Sequence, residues 1–153
     1  MGAPGLHALA RAARRAAARR ASRAPPGGSR QLSDLPEFEL GYPGTDLRRR
    51  LVEAVLSGAK TSTAGLAESE EPSARARDRF VLEDEKGRPR AIVEITEIRV
   101  VPASEIDLGF ARDEGEGFES VEDWREAHER FFEQPIEADT LIEAIRFRLV
   151  ERL

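Results

Sequence analysis

The first thirty residues hold seven arginines and no aspartate or glutamate. They run through alanine-rich sequence into Pro25-Pro26-Gly27-Gly28, a linker signature. Such a segment has too little apolar bulk to build a core, so folding falls to the remainder, about residues 35–153. Arg11, Arg15, Arg19 and Arg23 fall at helical i, i+4 spacing, but the opposite face is mostly alanine and buries too little to enter a membrane. We expect residues 1–33 to be a disordered basic Ala/Arg/Pro/Gly tail. An over-long translation start, a nucleic-acid arm and an organelle transit peptide are the alternatives. The transit reading fits the acid-free composition but falls short of the expected serine content, and the twin arginines precede no hydrophobic region, which argues against export.

Removing that tail exposes the charge of the body. Of 24 Lys and Arg, the seven in the tail leave 17 against 29 Asp and Glu, a net of −12. An acidic body does not suit non-specific duplex binding, which needs a broad basic face, so a nucleic-acid contact should be local or should target a nucleoside or single strand. The chain has no cysteine, which excludes disulfide partners, thiolate nucleophiles and cysteine-based metal sites. Its two histidines are His7, in the tail, and His128. A multi-histidine metal centre is therefore impossible, and a Ser-His-Asp arrangement would have to run through His128. No apolar run approaches the ~20 residues that cross a bilayer. A small soluble cytoplasmic domain with no membrane partner is expected. Walker, dinucleotide, zincin and EF-hand patterns are absent, so no cofactor is expected.

The local signals order the elements. Thr45 is a candidate N-cap with Asp46 in the first turn; Leu47, Leu51, Val52, Val55 and Leu56 form an apolar stripe, and Gly58 is placed to stop the helix. Thr61 to Ala67 is β-tolerant. After a polar loop, 79–83 reads as a strand, 84–88 as a hairpin turn with Gly87, and 90–101 as a long strand ended by Pro102. Both faces of that strand are mixed, which suits a bent or barrel-like sheet. Ser104 is placed to cap a short helix with Asp107 in its first turn, and Ser120 a second helix with Asp123 at the matching offset. Residues 141–150 alternate, with Ile145, Phe147 and Leu149 opposed to Arg146 and Arg148. The order predicts an α+β fold, a small mixed β-barrel with flanking helices.

Three constellations can carry chemistry. In Gly58-Ala59-Lys60-Thr61-Ser62-Thr63, a helix-ending glycine admits close backbone approach, and Lys60 and Thr63 can share one space. Lys60 and Lys86 are the only lysines beside 22 arginines, and lysine, unlike arginine, can give up its proton when buried. The alternative is a capped helix followed by a solvated lysine and ordinary strand threonines. Asp113-Glu114-Gly115-Glu116-Gly117 packs three carboxylates into five residues, either as a pocket carboxylate freed by its glycines or as an acidic surface turn. No metal site is assigned there, since no cluster of additional ligands accompanies it. Trp124, His128 and Phe131 lie at helical spacing, as a core stripe or as groups that stack on a base.

The turn Gly58-Ala59-Lys60-Thr61-Ser62-Thr63 resembles the Gly-x-Lys-x-x-Thr signature of the ASCH domain family, relatives of the PUA-like RNA-binding fold. The resemblance extends through Phe38-Glu39-Leu40-Gly41, Asp78-Arg79-Phe80-Val81-Leu82 and Ile92-Val93-Glu94-Ile95-Thr96-Glu97. It continues through Phe110-Ala111-Arg112-Asp113-Glu114-Gly115-Glu116-Gly117, and through Trp124, His128, Phe131 and Phe132, to a bacterial branch of the family. It implies a PUA-like barrel with a cleft beside the signature turn. Family members are regarded as RNA-binding, one bacterial line removes the acyl group from N4-acetylcytidine, and ribonuclease activity is known in another. By that resemblance the acting residues are Lys60, Thr63 and Glu116, with Glu114 as the alternative alignment. Gly65 stands where the amidohydrolase line has arginine, and Arg77 where glycine is usual.

Two functions are therefore expected. One is recognition of RNA or a modified nucleotide through the Gly58-x-Lys60-x-x-Thr63 turn, with Lys60 on phosphate and Gly58, Thr61, Ser62, Trp124 and His128 as ligand contacts. The other is hydrolysis, an amidohydrolase or ribonuclease, in which an uncharged Lys60 takes a proton from Thr63 or water and a glutamate relays it to the leaving group.

Overall fold

The first helix, α1 (Asp46–Ser57), begins where the Thr45 hydroxyl accepts a hydrogen bond from Arg48 N, and it ends where Gly58 adopts φ 87°. It buries Leu51, Val52, Val55 and also Arg48. This is a computed structural model that describes residues 32–153, so residues 1–31 of the expected tail lie outside the described residues.

Strand β1 (Ser62–Leu66) follows the glycine turn. β2 (Arg79–Glu83) and β3 (Pro89–Pro102) form the expected hairpin, with Gly87 at φ 77° and the Asp84 carboxylate accepting from Lys86 N and Arg88 N. The sequence expectation differs from the structure after Pro102. Residues Ala103–Glu105 make one 3-10 turn, and Asp107 is itself the cap of α2 (Leu108–Asp113), accepting from Phe110 N at 2.8 Å. An aspartate competes well for exposed helix N–H groups, and Ile106 separates the two turns in extended backbone. The helix α3 (Val121–Phe132) is capped by Ser120 as expected, and β4 (Leu141–Arg152) closes the chain.

The strands order as β1-β4-β3-β2 and pair antiparallel; one parallel bridge joins Glu37 to Val81. The result is α+β: a curled half-barrel with flanking helices. β3 is mixed on both faces because its pairing with β4 shifts between Ile95 and Glu97, where Thr96 is the extra residue; a further shift at Ile92/Val93 places the extra residue, Val150, on β4. Each extra residue swaps the side that faces the core and tightens the curl. Two apolar clusters result. One gathers Phe38, Leu40, Leu51, Val55, Phe80 and Phe147. The other gathers Leu66, Phe110, Trp124, Phe132, Ile136 and Ile142. No helix among the described residues is long and apolar enough to cross a membrane.

Candidate active site

A cavity of about 480 Å³ borders both clusters. β1 is an edge strand, and Thr63 to Leu66 all line the cavity, so it wraps that free edge. Leu40, Tyr42, Leu47 and Leu51 form one wall, and Phe118, His128, Phe131 and Phe132 another. The rings of Tyr42 and Phe131 meet with centroids 5.4 Å apart.

Lys60 is drawn into this space by its backbone. Its N–H donates to Ala54 O at 3.0 Å on α1, and Thr61 N donates to Asp113 O at 2.7 Å. These bonds press the signature turn against the Asp113–Gly117 turn. Gly115, at φ 71°, fits because it has no side chain: a Cβ there would stand 2.6 Å from Ala59 O. That close approach places Glu114 and Glu116 around the Lys60 amine. Lys60 is 2% exposed; Nζ donates to Glu114 O at 3.1 Å and lies 3.7 Å from Glu114 Oε1 and 3.8 Å from Glu116 Oε2.

The two glutamates differ in what holds them. Glu114 is 1% exposed; Trp124 Nε1–H donates to its Oε2, and His128 Nε2 is 3.3 Å from its Oε1. Burial pushes its carboxyl up, but the His128 hydrogen bond and charge, with Lys60 and Trp124, outweigh burial and hold it below the usual carboxylate range. His128 lies under Trp124, ring centroids 4.4 Å apart, with Nδ1 2.7 Å from Trp124 O. Both ring nitrogens thus face acceptors, which suits the imidazolium. Burial pushes His128 down, and the Glu114 hydrogen bond and charge more than reverse it, so its pKa is raised. The Glu116 side chain is 28% exposed to the cavity. Burial raises its carboxyl above the usual range, the Glu114 charge adds to this, and Lys60 opposes it.

Thr63 lines the cavity, is 9% exposed, and its hydroxyl makes no hydrogen bond among the described residues. The structure thus brings Lys60, Thr63, Glu114, Glu116 and His128 together at one cavity. Other expected contacts sit elsewhere. Gly58 caps α1, Thr61 is exposed outside the lining, and the Ser62 hydroxyl is spent on Phe110 O at 3.0 Å. Trp124 is 1% exposed, with its indole N–H on Glu114, and so supports the site from behind; it offers no face for a base to stack on.

Glu114, Glu116 and His128 present ligand atoms within 4.8 Å of one another, a spacing that a cation could bridge. The Lys60 amine already stands against both carboxylates, a positive charge that would repel such an ion.

Two polar residues of the cavity stand outside the three constellations. Arg48 and Glu143 are both buried and both line it. Arg48 keeps helical phase with Leu51 and Val55, and Glu143 keeps strand parity with Ile145 and Phe147. Each is a polar residue set in an apolar pattern, which is the signal that could have revealed it.

Comparison with known proteins gives the family. A crystallised protein from Enterococcus faecalis V583 is 25% identical, with TM-score 0.66, over 77% of this chain and 78% of that one. An ASCH domain from Lactobacillus crispatus JV V101 is 24% identical, with TM-score 0.62, over 90% of this chain and 94% of that one, a likeness of fold. Among curated proteins none matches. The ASCH domain profile matches residues 40–151, nearly everything that forms the half-barrel and the cavity, and the chain belongs to the ASCH domain family.

Proposed function

We propose that this ASCH domain recognises a nucleoside-sized ligand in the cavity and hydrolyses an acyl-amide bond on it. The observation that carries the reading is the Lys60 amine, buried between two carboxylates of unequal character at a cavity that an unspent Thr63 hydroxyl also lines. An amine so enclosed is the counter-ion of those carboxylates, so its role here differs from the uncharged base expected from sequence. The Lys60 ammonium stabilises the oxyanion that develops on the acyl oxygen. Glu116, whose proton is held more tightly than in an ordinary carboxylate, is the base that faces the cavity. It takes a proton from a water oriented by Thr63; the water oxygen bonds to the acyl carbon, and the carbon–nitrogen bond breaks as Glu116 returns the proton to the leaving amine. Glu114 is the fixed anion that holds Lys60 in place.

The lining makes phosphate a poor occupant. Glu37, Glu39, Glu68, Glu114, Glu116 and Glu143 outnumber the cations Arg48, Arg50, Lys60, Arg130 and the His128 imidazolium around the cavity. A phosphate on Lys60 would face the Glu114 and Glu116 carboxylates that stand within 3.8 Å of the amine, so RNA recognition through a Lys60–phosphate contact is the weaker reading. The aromatic wall and the cavity volume suit an uncharged base or nucleoside.

The test is to mix the protein with N4-acylated cytosine derivatives and follow release of the free base by absorbance. Turnover is expected in the wild type and loss of it in Lys60→Ala and Lys60→Arg. Salt-sensitive RNA binding that survives Lys60→Arg, with no turnover on any acylated nucleoside, would replace this reading with the RNA-binding one.

A further inference from the structure

Glu143 belongs to no part of the Lys60 cluster. It occupies the inward face of β4, in step with Ile145 and Phe147, and is 6% exposed while lining the cavity. Each carboxylate oxygen accepts one hydrogen bond from the loop after β1. Ser73 Oγ donates to Oε1 at 2.5 Å, and Ser73 N donates to Oε2 at 3.1 Å. Among the described residues no cation pairs with it. Its neighbour across the sheet is Gly65, which has no side chain to offer. A carboxylate withdrawn from water without a counter-ion is costly unless further donors reach it. Each oxygen here keeps acceptor capacity for one more donor.

A second observation falls at the same place. Thr63 is opposite Ile145, which makes it the diagonal neighbour of Glu143; the residue is nine-tenths buried, and its hydroxyl is unpartnered among the described residues. Two polar side chains with hydrogen-bonding capacity to spare thus line one cavity from adjacent strands. The Lys60 mechanism uses Thr63 and leaves Glu143 without a task.

We propose that Glu143, held in place by Ser73, is the specificity-determining residue of the cavity and binds two adjacent hydrogen-bond donors of an uncharged ligand, one on each carboxylate oxygen. This rests on the cavity being the ligand site, as proposed above, and names the chemistry that the site selects. Adjacent donors occur in the vicinal hydroxyls of a ribose, whereas the donor edge of cytosine is a single N4 nitrogen that keeps one N–H once acylated. A group presenting acceptors there, phosphate above all, is rejected.

The experiment is calorimetric binding of cytidine and 2′-deoxycytidine to the full chain, with steady-state kinetics on N4-acetylcytidine. Glu143→Gln puts a donor where the ligand needs an acceptor and is expected to weaken cytidine binding and raise KM by about tenfold, with kcat nearly unchanged. Ser73→Ala loosens the carboxylate and should raise KM by about threefold, and it carries the test if the first variant does not fold. If the ribose supplies the donors, the wild type binds cytidine more tightly than 2′-deoxycytidine and Glu143→Gln erases the difference. Equal weakening of both nucleosides by Glu143→Gln would overturn the two-donor assignment, because the single N4 nitrogen of cytosine cannot serve both carboxylate oxygens. A purely structural staple would lower the unfolding midpoint and leave KM unchanged in both variants; that result, with the wild type binding normally, would overturn this inference alone. Failure of the wild type to bind either nucleoside would overturn the function proposed above as well.

Discussion

Arg48 and Lys60 line the same cavity as buried cations, and they are satisfied in different ways. Arg48 spends its guanidinium on three acceptors: Leu40 O at 3.1 Å, Gly41 O at 3.2 Å and Glu37 Oε1 at 2.5 Å. Two of these are backbone groups, so the residue is a clamp that ties the 37–41 segment to α1, and its planar fork matches the task. Lys60 makes one hydrogen bond, to a carbonyl, and keeps two carboxylates at 3.7 and 3.8 Å, beyond hydrogen-bond reach. The first arrangement is complete; the second retains donors that a ligand can use. A buried charge therefore marks a candidate site when its geometry is left open, and burial alone does not separate the two cases.

The sharpest way to break this contrast is to empty the Lys60 side. Glu114→Ala takes the shared carboxylate acceptor from His128 and Trp124 and the nearer counter-charge from Lys60, and it should cost about 3–5 kcal/mol in denaturant unfolding. Glu116→Ala should leave stability nearly unchanged and abolish turnover. Equal stability losses for the two would end the division of roles between them. Gly115→Ala forces a side chain against Ala59 O at a left-handed backbone position, so about 1–3 kcal/mol and most of the activity should be lost together. On the clamp side, Arg48→Lys cannot reach three acceptors and should cost about 1–3 kcal/mol while leaving kcat within about threefold. A large kcat effect there would mean that the clamp takes part in the chemistry.

The pH dependence sharpens the comparison further. The folded pKa of His128 is raised, so its contribution to stability is complete below about pH 6.5 and is lost as pH rises through the folded value. Glu114 is lowered, so its contribution holds above about pH 4.3 and fades as pH falls through its folded value. Unfolding midpoints should therefore decline on the alkaline side in the wild type, and His128→Gln should remove that decline. Glu116 acts as a base with a raised pKa, so the acid limb of kcat against pH should lie above the ordinary carboxylate range, with a smaller effect on KM. A flat profile through that range would remove Glu116 as the base.

Much of the site was legible because several of its residues break a local pattern. Lys60 stood out against 22 arginines, and the glycines beside Glu116 announced an unusual turn. Helical spacing placed Trp124 and His128 on one buried face, which the structure keeps, as core residues that brace Glu114. Other assignments depended on distant partners. The proposed role of Ser62 as a ligand contact, for example, gives way to its hydrogen bond with Phe110 O, a residue 48 positions away. Among three consecutive arginines only Arg48 shares the helical phase of Leu51 and Val55, and it is the one that α1 buries; its three acceptors, at positions 37, 40 and 41, come from a segment that only packing brings to it. The expected cap at Ser104 failed for a local reason, since Asp107 was the better acceptor at the true helix start.

Sequence alone settled the element order, the caps at Thr45 and Ser120, the glycine stop at Gly58, the hairpin at Gly87 and the composition of the signature turn. Each of these depends on interactions among residues within a few positions, which a sequence displays directly. Tertiary structure decided that Lys60 meets a carbonyl and carboxylate 54 residues away, that Glu114 is the fixed anion and Glu116 the one open to the cavity, and that Glu143 faces inward without a counter-ion. Those outcomes turn on how closely two backbones can approach at Gly115 and on how β1 registers against β4. Chain folding sets such distances only after the local elements exist.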